Sequence, residues 1–343
     1  MKLVPNKPPS STGTRLLVLG AVSAALTAAW VEWKARRAER EHPPRGRLIE
    51  VDGVRLHCVE RGHGRPVVLL HGNVVSLEDF EASGVVEALA RTHRVILFDR
   101  PGFGHSTRPR DRIWSPAAQG AVIQAALDRI GVERPVLVGH SMGTLVAMAM
   151  ALDRPDRIGG LVLLGGYHYP TPRVDAMAMV PVALPIVGDV LRYTVTALSS
   201  RAMIGGAARA MFAPNAVPAL FFDVLSREMM VRPVQIRANA EDAALMMQSA
   251  ADLAARYGEL KLPLALIAGT DDAVVDPKAH AERLHAELPG SRLVLVPGSG
   301  HMVHHVAPHA VVEAVQALAA GAPAGNRPDT LSSTPPQAVA ADL

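Results

Sequence analysis

Residues 135–152 read PVLVGHSMGTLVAMAMAL. The first six form an apolar run of strand length, as expected for a strand buried on both faces, and Met142 to Leu152 reads as a helix. Between them stands Gly139-His140-Ser141-Met142-Gly143. A Gly-x-Ser-x-Gly set between a strand and a helix is a nucleophile elbow, in which a sharp turn lifts the serine out of the sheet. The glycines relieve crowding where strand and helix meet. The backbone N–H of Met142, at the helix start, faces the oxygen of a reacting carbonyl. A serine in an ordinary glycine-rich turn would need neither the strand before it nor the helix after it.

Similar apolar runs lie on both sides: Pro66–His71, Arg94–Asp99, Ile158–Leu164, Pro263–Ala268 and Arg292–Val296. Ala117–Ile130 reads as a helix. Strand and helix therefore alternate, which predicts an α/β fold: a mostly parallel twisted sheet with helices on both faces. Arg47–Arg61 holds two β-prone stretches around Asp52-Gly53, a hairpin signal that supplies an antiparallel edge. After Gly166 the alternation stops, and almost a hundred residues pass before the next strand pattern. That is too long for a structureless loop. The expected organisation is a core over 47–166 and 251–320, an inserted helical cap over 167–250, an N-terminal segment over 1–46 and a disordered, Pro- and Ala-rich tail over 321–343. The cap holds eight of the thirteen methionines, which suits either an adaptable apolar lid or ordinary helix packing.

With 49% apolar and 20% charged residues, the 343-residue chain is not disordered overall. Its net charge of +3 comes without a basic stripe, which argues against nucleic acid. One cysteine, Cys58, excludes an intramolecular disulfide framework and a cysteine zinc site. Only one long uncharged run exists, Leu16–Val31, so the chain is not a multi-span membrane protein. That run is shorter than the ~20 residues of a full span. It reads as a retained membrane anchor, a cleaved signal peptide followed by export, or an N-terminal helix packed on the protein. Lys34, Arg36, Arg37, Arg40, Arg45 and Arg47 follow it, against Lys2, Lys7 and Arg15 before it. This bias favours an anchored protein with a cytoplasmic catalytic domain. The sequence does not specify an oligomeric state.

The elbow, His71-Gly72-Asn73, Asp99-Arg100-Pro101-Gly102-Phe103-Gly104-His105-Ser106, Gly269-Thr270-Asp271-Asp272 and Gly300-His301 together resemble the α/β-hydrolase superfamily. The resemblance is to its cap-bearing branch of esterases, C–C hydrolases, epoxide hydrolases and dehalogenases. It spans about Arg47 to Leu318 and follows the family order, Ser then acid then His. It implies an α/β-hydrolase fold, a Ser141–Asp272–His301 triad and an oxyanion hole formed by the amides of Asn73 and Met142. Asp271 and Asp272 both follow a strand; the family spacing selects Asp272. Phe103 would line the entrance, and His140 would touch substrate. Dehalogenases and epoxide hydrolases of this fold attack with aspartate, so Ser141 points away from them. C–C hydrolases often carry Asn before the serine and Trp after the histidine, where this chain has His140 and Met302. The expectation is a carboxylic ester hydrolase with a small hydrophobic substrate, working through an acyl-enzyme. Acyl transfer and C–C hydrolysis on the same triad are alternatives, as is a non-catalytic binding protein. No cofactor is expected. His304, His305 and His309 cluster in sequence, but no His-Glu-x-x-His accompanies them, so no metal is expected either.

Overall fold

The structure is a computed structural model that describes residues 11–320 and 329–330. Helix α1 (Ser11–Glu41) precedes the hairpin β1 (Arg47–Val51) and β2 (Val54–Arg61). Its turn residues Asp52 and Gly53 both have positive φ, 49° and 75°, as the twist of a tight hairpin requires. Then follow β3 (Arg65–Leu70), α2 (Glu78–Ala82), α3 (Val85–Ala90), β4 (His93–Phe98), α4 (Pro116–Arg129), β5 (Val136–His140), α5 (Met142–Asp153) and β6 (Gly160–Leu164). Six helices come next: α6 (Val174–Ala183), α7 (Val187–Leu191), α8 (Val195–Phe212), α9 (Ala219–Val224), α10 (Arg227–Met230) and α11 (Pro233–Ala254). The chain returns through β7 (Leu264–Gly269), α12 (Arg283–Glu287), β8 (Arg292–Val296), α13 (Val303–Val306) and α14 (Pro308–Ala319).

The strands form one sheet in the order β1-β2-β4-β3-β5-β6-β7-β8, completed by the two-residue β9 (Asp329–Thr330). β1, β2 and β4 pair antiparallel, and every later pair is parallel. The apolar runs are continuous because both faces are buried. Along β3, Val67 and Leu69 join one core cluster and Val68 and Leu70 the other. Each such side chain contributes about 1.5–3 kcal/mol by leaving water. The strand order reverses direction between β3 and β5. A crevice for ligands opens at the carboxyl ends of strands that flank such a switch point. His71-Gly72-Asn73 follows β3, and Ser141 follows β5.

Three expectations need adjustment. The helix read at Leu16–Val31 runs on to Glu41, because the basic stretch is itself helical. Glu32–Arg36 and Arg37–Glu41 pair one turn apart, while Val31, Ala35 and Ala38 are buried. The segment after Gly166 is helical as expected, but α11 passes through 250 to Ala254 and packs on both α6 and α5. In the tail, Asp329 and Thr330 pair with Val294 and Leu295 of β8. The rest of the tail lies outside the described residues.

Candidate active site

Ser141 sits between β5 and α5 with φ 52° and ψ −118°, a conformation that L-residues rarely adopt. Its N–H donates to Leu164 O at 2.9 Å, and its carbonyl accepts from the Thr144 N–H and hydroxyl at 3.0 and 2.6 Å. These bonds hold the turn. A Cβ on Gly143 would stand 2.1 Å from Leu70 O, so α5 can approach β3 only without a side chain there. A Cβ on Gly72 would stand 3.2 Å from the Ser141 Cβ, which puts the loop after β3 against the nucleophile turn.

His301 lies in the loop after β8, buried, with its Nδ1 2.8 Å from Asp272 Oδ2. Asp272 is fixed in turn: its Oδ1 accepts the Val274 and Val275 N–H groups, each at 2.8 Å. The neighbouring Asp271 is exposed, and its N–H donates to Ser299 O. The structure thus brings Asp272, not Asp271, to the imidazole. With Nδ1–H donating to Asp272, the His301 Nε2 carries the free lone pair. The ring sits 4.9 Å from that of His140, the residue before Ser141, and His140 Nε2 donates to His301 O at 3.2 Å. The imidazole and the elbow are therefore at one rim. Among the described residues, no hydrogen bond joins Ser141 Oγ to the ring.

The amide N–H groups of Asn73 and Met142 have no acceptor among the described residues. Asn73 is placed through Arg100, a fully buried guanidinium at the end of β4. Arg100 Nε donates to His71 O at 2.9 Å, and Nη2 donates to Gly72 O at 3.0 Å and Asn73 Oδ1 at 2.7 Å. Its Nη1 donates to Gln119 Oε1 at 2.9 Å and to Asp242 Oδ2 at 2.6 Å. Every guanidinium N–H is used. Asp242 also accepts from Arg108 Nη2 at 2.9 Å and Gln119 Nε2 at 2.9 Å. One carboxylate on α11 therefore anchors the loop after β3. His71 is neutral within this arrangement, its pKa taken down to about 4 by burial and the adjacent Arg100. Its Nδ1–H donates to Gly72 O at 2.7 Å, and its Nε2 accepts the Arg100 N–H at 2.9 Å.

Two expected substrate contacts are corrected. Phe103 is fully buried, 5.2 Å from the His71 ring and 4.5 Å from the Arg100 guanidinium, so it wedges the loop and does not line an entrance. His140 is buried beneath the elbow, 4.4 Å ring to ring from His304 and 3.8 Å from Asp79 Oδ2. Burial, with His304 and His301 alongside, holds it well below the usual imidazole range. Asp79 accepts from His304 Nε2 at 2.9 Å and His305 Nε2 at 2.8 Å. Although burial alone would raise its pKa, these partners keep the carboxyl well below its usual range. The possible ligand atoms of the three residues lie within 4.8 Å of one another, but the carboxylate already accepts both imidazole N–H groups.

A family model described as "alpha/beta hydrolase fold" matches residues 65–200. The chain has the α/β-hydrolase fold. It is 28% identical over 284 residues to "Haloalkane dehalogenase 2" of Mycobacterium tuberculosis, covering 80% of the chain and 94% of that protein. It is 34% identical over 151 residues to a 2-hydroxymuconate semialdehyde hydrolase of Pseudomonas sp., covering 41% of the chain and 51% of the relative. A thermophilic esterase from Thermogutta terrifontis shares its fold, with a TM-score of 0.65 at 24% identity over 80% of this chain and 96% of the other.

Proposed function

We propose that this α/β-hydrolase-fold protein is a serine hydrolase that cleaves a carboxylic ester of a hydrophobic substrate through an acyl-enzyme. The observation that carries this reading is the Asp272–His301 pair at 2.8 Å, beside a strained elbow that presents Ser141. Ser141 Oγ passes its proton to His301 Nε2 as it attacks the acyl carbon. The carbonyl oxygen, now negative, accepts hydrogen bonds from the Asn73 and Met142 amides. The intermediate collapses, and the leaving alkoxide takes the proton from His301. Water then enters, gives a proton to His301 and attacks the acyl carbon. The acid departs as Ser141 regains its proton. The dehalogenase likeness does not bring halide chemistry with it, because that chemistry uses aspartate where this elbow carries serine.

The helical segment from α6 to α11 serves as the cap. Helix α1 anchors the enzyme in a membrane, with the catalytic domain on the cytoplasmic side as the six-to-three bias in flanking basic residues favours. A fluorophosphonate probe tests the catalytic reading: it should label the folded protein and fail on Ser141→Ala. A p-nitrophenyl ester series should show turnover that varies with acyl length, and adding an alcohol distinguishes hydrolysis from acyl transfer. A folded protein that neither labels nor turns over any ester would refute the reading. Protease protection in sealed membranes tests the orientation.

A further inference from the structure

Exposed large apolar side chains are not scattered over this molecule. Among the described residues, eight lie on α1, eleven lie between Val174 and Leu220, and four lie elsewhere. Scattered single apolar side chains are normal on a soluble surface, but a contiguous apolar face marks a contact. Residues 174–212, which form α6, α7 and α8, carry only five charged residues in thirty-nine. Ile186 is 77% exposed and Met203 66%, and Val187, Val190 and Leu198 of α7 and α8 are also open. Met177 and Met203, whose setting in the sequence suits either an adaptable apolar lid or ordinary helix packing, are 62% and 66% exposed.

The two apolar surfaces meet. Val31 of α1 is buried in one cluster with Val182 of α6, Ala197 of α8, and Ile236 and Ala240 of α11. Arg201 of α8 lies 5.4 Å from the Trp30 ring, and Lys34 pairs with Glu228 at 3.3 Å. Val31 closes the uncharged run, so the helices that grip it stand where that run leaves the lipid. Trp30 and Trp33, 42% and 50% exposed, occupy the same level, the position favoured by interfacial aromatics. Around and below them α1 becomes densely charged, with Lys34, Arg36, Arg37 and Arg40 among Glu32, Glu39 and Glu41. The occupant that fits an apolar face continuous with a helix long and apolar enough to cross a membrane, bounded by tryptophans and then by ion-paired charged residues, is a lipid bilayer.

We infer that the outer face of α6–α8 is a second membrane contact, seated in the interface beside α1, and that the substrate is an ester dissolved in that bilayer. The substrate half of this inference rests on the serine hydrolase reading. Helix α8 links the two ends. Val195, Leu198 and Met203 lie on the apolar face, while Met211 O near its C-terminus accepts the His301 N–H at 3.1 Å. One helix thus runs from the lipid-facing surface to the catalytic rim, a distance of about 27 Å for its length.

The test uses the full chain in phosphatidylcholine/phosphatidylglycerol vesicles. The sole native thiol, Cys58, is buried, so a nitroxide goes to an introduced cysteine. At Val187→Cys and Met203→Cys it should be open to oxygen and about tenfold less open to a water-soluble nickel complex than at Leu48→Cys or Val306→Cys. Equal nickel access at all four positions would overturn the docking, as would protection accompanied by dipolar broadening between labels, which would put a second copy on this face. The double variant Ile186→Glu/Val190→Glu should lose about tenfold or more in hydrolysis of a long-chain ester held in the vesicles. It should keep its rate on soluble p-nitrophenyl acetate, and equal loss on both substrates would overturn the lipid-substrate inference. If the folded parent protein neither takes up the fluorophosphonate label nor hydrolyses any ester, soluble or vesicle-held, the catalytic reading fails, while the nitroxide depths still decide the docking.

Discussion

Replacing Asp242 by asparagine keeps the side-chain volume and removes one negative charge from a site where it neutralises two buried guanidiniums. Arg100 and Arg108 reach its two oxygens at 2.6 and 2.9 Å, and all three side chains are fully buried. Arg108 retains Glu241, 2.6 Å from its Nε, but among the described residues Arg100 has no second carboxylate. Stranding one partner of a buried ion pair costs about 3–5 kcal/mol. At about 2–4 °C per kcal/mol for large domains, the melting temperature should fall by roughly 6–20 °C. A catalytic effect follows from the other end of Arg100, which holds the His71 and Gly72 carbonyls and the Asn73 side chain. If the unpaired guanidinium shifts, the Asn73 amide shifts with it. Complete loss of one oxyanion donor costs about 10²–10³ in kcat, so the variant should lose activity up to that limit.

The assay is thermal unfolding followed by circular dichroism, with kcat on a soluble ester measured well below the melting point. Arg100→Met/Asp242→Leu serves as the comparison. Removing both charges takes a partner from the His71 carbonyl, the Gly72 carbonyl and Arg108, each at about 1–3 kcal/mol, so the double variant should be no more stable than Asp242→Asn. A melting temperature for Asp242→Asn within 2 °C of the parent would refute the electrostatic reasoning. A large drop in stability with unchanged kcat would refute the proposed link between α11 and the oxyanion loop.

Asp272→Asn should lower kcat by about 10⁴ by reversing the imidazole tautomer, whereas Asp271→Asn should change it little; the opposite ranking in steady-state kinetics would reassign the acid. Gly143→Ala forces a Cβ against Leu70 O, and urea titration should show a loss of more than about 2 kcal/mol, with parent-like stability refuting the close-packing argument. Acid should destabilise the fold well before carboxylates titrate. Burial and charged neighbours lower His71 and His280 to about 4, and burial together with His280 lowers His168 to about 3, so the unfolded chain takes up these three protons first as pH falls below 6.5. Glu78, raised to about 7 by burial and the nearby Asp99, works in the opposite sense and offsets one of the three. With His140 held low by burial in the same sense, the histidines outweigh Glu78, and stability should fall as the pH drops from about 5.5 to about 4.5. Urea midpoints that stay flat across that range would contradict the assignment of these histidines as buried and neutral.

The parts of the site legible in sequence are those whose chemistry is local. The elbow needs a strand, a small-residue turn and a helix within eighteen consecutive residues, and all three can be read from residue type. His71-Gly72 and Gly269-Thr270-Asp271-Asp272 sit at strand ends, where a parallel sheet places its ligands. Arg100 was passed over because its segment reads as a structural loop, and its carboxylate partner lies 142 residues away. One signal did exist. Gln235, Ala238, Asp242, Met246, Ser249 and Leu253 are spaced three or four apart and are all buried on α11, so an aspartate on that stripe demands a cation. The Asp79–His304–His305 cluster was half visible, as histidines without the carboxylate that gathers them. The outward-facing methionines were not visible, because helical spacing alone does not say which face meets the protein.

These features share one physical logic. Ser141 occupies a backbone region that costs on the order of 1–3 kcal/mol, and such a turn persists only when its surroundings over-determine it. Helix α5 and Leu164 hold it from one side, and the loop after β3 presses on it from the other. That loop is itself pinned by a saturated guanidinium and a carboxylate on α11. Beneath the elbow, His140 donates to the carbonyl of His301 and packs its ring on His304 of the Asp79 cluster, so the base is located by its own backbone as well as by Asp272. Buried polar groups are costly when left unpaired, and a network in which one loss strands several partners resists small displacements. On the Arg100 side, that resistance depends on α11, whose Ile236 and Ala240 pack with Val31 of the α1 helix. The oxyanion loop and the surface next to α1 are therefore braced by the same helix.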